Sequence, residues 1–198
     1  MHWDLPFGVL TEAKTGVDWD TLLTRDDLGN LLRQFEAVQM ASSWFVSFNC
    51  DPTQIGELTS VLAENNYVHI TPLFWHKEKH TKVSTQQQLT PAVETMVLAR
   101  KQRAGHTAYT NLDVNPTKRH NFLEGPPQRT LIKDDKDVPL NLTQKPPYVF
   151  EWVLERFGNP SNPVLICGTG AGGEVQAAIN KGFSVVGVRA GEFSRHNP

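Results

Sequence analysis

The sequence predicts an α/β protein built on a doubly wound, mostly parallel sheet, and three observations carry that prediction. Short apolar runs of strand length alternate with segments whose apolar residues recur at spacings of three and four. A glycine-rich turn, Gly168-Thr169-Gly170-Ala171-Gly172-Gly173, stands between one such run and a helical segment. The composition is that of an ordinary globular chain: 198 residues, 39% hydrophobic, with 14 glycines. That length buries a core without help from disulfides or metal. The two cysteines, Cys50 and Cys167, are too few for a four-ligand structural zinc site. No apolar stretch approaches the ~20 residues of a membrane span, and Met1-His2-Trp3-Asp4 lacks signal-peptide character. The expectation is one domain over residues 1–198, intracellular and either nuclear or cytoplasmic, with no membrane association and no metal.

Each element has its own reason. Trp3 to Phe7 is a short apolar run broken by Pro6 and Gly8, a strand end opening into a loop. Asp26 or Asp27 caps a helix whose inner face is Leu28, Leu31, Leu32, Phe35 and Val38. Trp44 to Phe48 reads as a buried strand, Ile55, Leu58, Val61 and Leu62 as one face of a helix, and Val68 to Trp75 and Thr95 to Ala99 as two further strands. Between 101 and 145 the regularity fades into turn chemistry at Asn115-Pro116, Gly125-Pro126-Pro127 and Asp134-Asp135, which predicts an irregular basic insertion. Tyr148 to Phe157 has helical spacing and stops at Gly158-Asn159-Pro160. Pro163 to Cys167 is then a strand, the glycine turn follows, Glu174 to Asn180 is a helix, and Phe183 to Val188 a strand. The tail 189–198 has no apolar pattern and is expected to lie outside the domain.

The net charge of −2 conceals an uneven distribution: residues 1–75 sum to −7, residues 76–145 to +5 and residues 146–198 to zero. A basic middle is either a footprint for a polyanion or a solvated loop region.

Two segments carry chemistry. The glycine turn lets a backbone pass close to a ligand where a helix N-terminus offers unpaired N–H groups, though a purely structural turn is the competing reading. A dinucleotide site would place an acid after the second strand, where Arg189 stands. The second segment is Asp4-Leu5-Pro6-Phe7-Gly8. A carboxylate and a backbone carbonyl accept the two N–H groups of a planar amine while an aromatic ring stacks on its plane. His76 and His80 flank Glu78 without a third ligand and read as a solvated stretch, and Trp44, Trp75 and Trp152 as core.

In this order the segments resemble the amino-methyltransferases that use S-adenosylmethionine to methylate adenine N6 or cytosine N4 in DNA, in their circularly permuted arrangement. Asp4-Leu5-Pro6-Phe7, with Trp19-Asp20 later, resembles the catalytic D-P-P-Y-type segment. Trp44 to Asp51, then Glu57-Leu58 and Phe74-Trp75-His76-Lys77, resemble the strand, helix and aliphatic-Trp-x-Lys segment that follow it. Glu94 to Lys101 is similar to the E-x-x-L-x-x-K strand, and Thr143-Gln144-Lys145-Pro146 to the T-Q-K-P cofactor element. Val164-Leu165 through Gly170-Ala171-Gly172, with Ala177-Ala178, resembles the V-L-D-x-F-x-G-S-G-T-T loop and its helix.

The resemblance implies a class I, Rossmann-like methyltransferase fold, permuted in chain order and short at its ends, with DNA as partner and S-adenosylmethionine as cofactor. It implies that Asp4 and the carbonyl of Leu5 hold the target amine, with Pro6 shaping the turn and Phe7 stacking on an extruded base. Thr143, Lys145, Pro146, Gly168, Gly170 and Gly172 would line the cofactor. Lys77, Arg100, Lys101, Arg103, Lys118 and Arg119 would meet nucleic-acid phosphates, with 101–145 in the place of a target-recognition region. Leu5, Ile166, Gly168 and Arg189 depart from the family pattern. They support an alternative: an inactive subunit of the same fold that binds nucleic acid or a partner protein, with a partner or further chain completing the sheet.

Overall fold

A computed structural model of the chain describes residues 2–4, 24–38, 42–49, 52–78, 92–127, 136–137, 144–169 and 172–188. Among these the elements are β1 (His2–Asp4), α1 (Arg25–Val38), β2 (Ser43–Asn49), α2 (Pro52–Glu64), β3 (Tyr67–Lys77) and β4 (Val93–Lys101). A 3-10 turn (Pro116–Lys118), β5 (Phe122–Gly125), α3 (Pro147–Phe157), β6 (Val164–Cys167), α4 (Gly173–Asn180) and β7 (Val185–Val188) follow. The strand order is β5-β3-β4-β2-β1-β6-β7. Strands β1 and β2, β3 and β5, and β6 and β7 pair in parallel.

The β3–β4 neighbours differ from these parallel pairs, within the mostly parallel sheet that the sequence predicts. The N–H of Lys77, the last residue of β3, donates to the carbonyl of Ala92, just before β4. The end of one strand therefore meets the start of the next, an antiparallel geometry, and the sheet is mixed. The 101–145 insertion departs from expectation, because it contains β5, with Phe74 opposite Phe122 and Lys77 opposite Gly125. No helix among the described residues is long and apolar enough to cross a membrane.

The chain forms two compact units, residues 1–72 with 96–109 and residues 73–95 with 110–198. In the first, β2 is buried on both faces through Phe45, Val46, Ser47 and Phe48, as an interior parallel strand requires. Leu28 and Leu32 of α1 and Leu58, Val61 and Leu62 of α2 complete this core, and Arg25 bridges the helices by ion pairs to Glu57 and Glu64. The capping residue of α1 is Thr24, upstream of the expected Asp26 or Asp27. Its hydroxyl accepts from the Asp27 N–H, and the Asp27 carboxylate accepts from the Thr24 N–H at 3.0 Å, a reciprocal capping box.

In the second unit β6, α4 and β7 form a β-α-β crossover. Leu154, Val164, Ile166, Ala178 and Phe183 make its core, with Val175 and Val185 packed on it. Ile166 and Val164 lie two apart on β6 and face the same cluster, which is the alternation of a strand with one face against helices.

Candidate functional site

The glycine turn begins where β6 ends. Gly168 and Gly172 have φ of 76° and 82°, left-handed values that favour glycine. The Gly172 N–H donates back to the Thr169 carbonyl at 2.6 Å, and its own carbonyl accepts from Gln176 N–H at 2.9 Å, so one residue closes the turn and opens α4. Among the described residues, a Cβ on Gly172 would meet no atom within 4 Å, which leaves open space beside it. Gly173 is different. A Cβ there would stand 2.7 Å from Gln144 Nε2, so the absence of a side chain lets the Gln144 amide lie against the first residue of α4. Glu174 is buried in that first turn, where a carboxylate is favoured by the helix dipole.

A second constellation in the same unit joins segments far apart in sequence. The Glu94 carboxylate receives Lys77 Nζ at 2.8 Å on one oxygen and Lys145 Nζ at 3.6 Å on the other. Lys145 is 4% exposed, and Gln144 and Pro146 beside it are buried. Next to this cluster Trp75 Nε1–H donates to Tyr148 Oη at 2.7 Å, and that hydroxyl donates to the Pro126 carbonyl at 2.9 Å. Burial pushes the Tyr148 phenol up from its ordinary range, which keeps it protonated for this role. Gly125 makes room for it, since a Cβ there would lie 2.6 Å from the hydroxyl. Trp75 and Lys77, Glu94, and Lys145 and Tyr148 thus meet within one unit.

Asp4 closes β1 opposite Phe48 of β2, at the carboxyl end of a parallel pair, the edge where α/β sheets bind ligands. Leu5, Pro6, Phe7, Thr143, Gly170 and Arg189 lie outside the described residues, as do Trp19, Asp20, Cys50, Asp51, His80 and the tail 189–198. Among the six cations predicted to meet phosphate, Lys77 is held by Glu94. Arg100 lies over the Trp44 ring at 5.8 Å. Lys101 pairs with Glu36, donates to the Asn65 carbonyl and lies 5.0 Å above the Tyr67 ring. Arg103 Nη2 donates to the Glu36 carbonyl at 2.8 Å. Lys118 and Arg119 are exposed, and the Arg119 guanidinium also caps the carbonyls of Asp113 and Val114.

Ile166, where the resembled family carries an acid, is 2% exposed in the apolar cluster. Burial pushes the Cys167 thiol up to about 11. His76 pairs with Glu124 at 3.1 Å and stacks on Phe122. No group of three or more metal-ligating side chains occurs among the described residues. Sequence reasoning named neither Glu94 nor Gln144 as a site residue. The signal was present in the motif positions of both.

No family model and no curated protein matches the sequence. Solved structures do match the fold. The complex of M1.HpyAVI with SAM aligns with a TM-score of 0.69 at 15% identity, covering 97% of this chain and 82% of that one. A second M1.HpyAVI structure gives 0.66 at 17% identity over 95% and 79%. The PvuII DNA methyltransferase, cytosine-N4-specific, gives 0.63 at 10% identity over 94% and 73%. The fold is therefore that of the DNA methyltransferases, a class I α/β methyltransferase-like architecture.

Proposed function

We propose that the chain is an amino-methyltransferase that transfers a methyl group from S-adenosylmethionine to adenine N6 or cytosine N4 in DNA, with its motifs in circularly permuted order. The observation that carries this reading is the alignment of 97% of the chain with a SAM-bound structure. The motif order supports it, with the Asp4 segment first and the glycine turn last.

The residues fit such a cofactor. Gly168 and Gly172 hold a left-handed turn with open space beside Gly172, at the N-terminus of an eight-residue helix. By the motif resemblance Gly170 and Thr143 would line the same cofactor, and Pro146 caps the entry to α3. When bound, S-adenosylmethionine supplies an electrophilic methyl group. The remaining work falls to this chain. The target amine is a poor nucleophile because its lone pair is delocalised into the ring. Asp4 and the Leu5 carbonyl accept its two N–H groups and favour the pyramidal form, and Asp4 draws off a proton as the nitrogen acquires its new bond. By the resemblance, Pro6 would shape the segment after Asp4 and Phe7 would stack on the extruded base. Holding the amine in line supplies much of the acceleration. Of the six cations named above, Lys118 and Arg119 are exposed and are free to approach DNA phosphates.

Calorimetric titration with S-adenosylmethionine, followed by transfer of labelled methyl to mixed-sequence DNA, tests this reading. Asp4→Ala is expected to keep cofactor affinity within about twofold and to lose at least ~100-fold in transfer rate. A folded protein that gives no heat at millimolar cofactor overturns the enzyme reading, and equal transfer by Asp4→Ala overturns the role of Asp4.

A further inference from the structure

Residues 144–148 are fastened at three points, each carried by a different part of the second unit. Gln144 lies against Gly173 at the start of α4. Lys145 is held by Glu94 at the start of β4. Tyr148 sits between the Trp75 indole and the Pro126 carbonyl. The Lys145–Glu94 contact is an ion pair at 3.6 Å, and both of its side chains are largely withdrawn from water, at 4% and 15% exposure. Removing one partner from such a pair leaves a charge uncompensated where solvent does not relieve it. Here the consequence is local, because Lys145 is the immediate chain neighbour of Gln144, and Gln144 is the residue that reaches the glycine turn.

We infer that Glu94 is a positioning residue for cofactor binding. Through Lys145 it sets the 144–146 segment against the first turn of α4 and so fixes the wall facing the open space beside Gly172. The inference rests on the proposed S-adenosylmethionine reading and deepens it, since Glu94 itself touches no reacting atom. Lys77 pairs with the other carboxylate oxygen at 2.8 Å, leaving Oε2 facing Lys145. In Glu94→Gln the two ammonium groups face a neutral amide, Lys145 turns away, and the Gln144 amide loses its seat on Gly173.

The test is calorimetry with S-adenosylmethionine and steady-state methyl transfer on the full chain. Glu94→Gln is expected to raise the cofactor Kd and KM at least tenfold while kcat at saturating cofactor stays within twofold. Glu94→Asp should recover part of the loss. Lys145→Met, which leaves Glu94 paired with Lys77, should reproduce the Kd change and serves if Glu94→Gln does not fold. Leu154→Val, a core change in the same unit, should lower thermal stability and leave Kd unaltered. Hydrogen exchange should quicken across residues 144–149 in Glu94→Gln. Wild-type affinity in both Glu94→Gln and Lys145→Met overturns the inference, as does an equal loss of affinity in Leu154→Val. A wild-type protein that binds no S-adenosylmethionine overturns the methyltransferase reading itself, and this inference with it.

Discussion

Gly158 follows α3 with a φ of −77°, an ordinary backbone value, so its lack of a side chain must have another cause. The cause is close approach: a Cβ would stand 2.7 Å from both the Leu154 carbonyl and Phe183 Cζ. Leu154 and Phe183 both belong to the core of the second unit, so an added methyl must push a packed ring outward. Gly158→Ala is expected to cost about 1–3 kcal/mol, read as a lower urea midpoint. An unchanged midpoint would show that the ring has room to shift. Cys167 offers a chemical readout at the same scale. With its thiol pushed up to about 11, it carries almost no thiolate at pH 8. In a Cys50→Ser background, iodoacetamide should label Cys167 far more slowly in the native protein than in urea. The sequence could show Gly158 as a helix exit and Cys167 as a small buried residue. It could not show what either touches, because the neighbours lie on other elements. Ile166 makes the same point. As a motif position it stands where a cofactor acid is expected, yet the alternation of β6 turns it into the apolar cluster.

At the scale of elements, α1 depends on its cap. Hydrogen bonds from the Thr24 hydroxyl and N–H hold the Asp27 carboxyl below the usual carboxylate range. A group whose folded pKa is depressed contributes stability above its unfolded value near ~4. That contribution disappears as pH falls through the lower folded value. Thr24→Ala should therefore lower the urea midpoint at neutral pH, as loss of an N-cap does, and flatten the acid limb of the stability profile below about pH 4. A limb as steep as that of the wild type would dissociate Asp27 from the cap. The four helices and strands β2, β3, β4, β6 and β7 were legible because apolar spacing alone distinguishes them. β5 was not, since Phe122-Leu123-Glu124-Gly125 is four residues long, flanked by turn chemistry and exposed at Phe122 and Glu124. Its pairing to β3 makes it a strand, with the Phe74 N–H donating to the Asn121 carbonyl at 2.9 Å. The cap moved from Asp26 or Asp27 to Thr24 for a related reason: Thr-x-x-Asp is a reciprocal pair, and spacing shows the acid more readily than the hydroxyl.

For the whole molecule, the question is what the +5 of residues 76–145 does. Five of the six cations predicted to meet phosphate have partners inside the protein: Lys77 with Glu94, Arg100 with Trp44, Lys101 with Glu36, and Arg103 and Arg119 with backbone carbonyls. Sequence arithmetic counts all of them alike, since it cannot tell a charge spent on an ion pair from one presented to solvent. Lys118 and Arg119 are the exposed pair, and on the DNA-methyltransferase reading they should account for the counterions released on binding. Each phosphate contact contributes about −0.9 to the slope of log affinity against log salt. Replacing both residues by alanine should weaken DNA binding at low salt and make the slope shallower by about 2, leaving thermal stability near that of the wild type. Lys101→Met should behave oppositely, because it leaves Glu36 without its cation: thermal stability falls while the salt slope stays as it was. Fluorescence anisotropy of a labelled duplex from about 50 to 200 mM salt separates the two. If the Lys101 change alters the slope and the Lys118/Arg119 change does not, then the basic stretch meets DNA through its internally paired residues, and those ion pairs must open on binding.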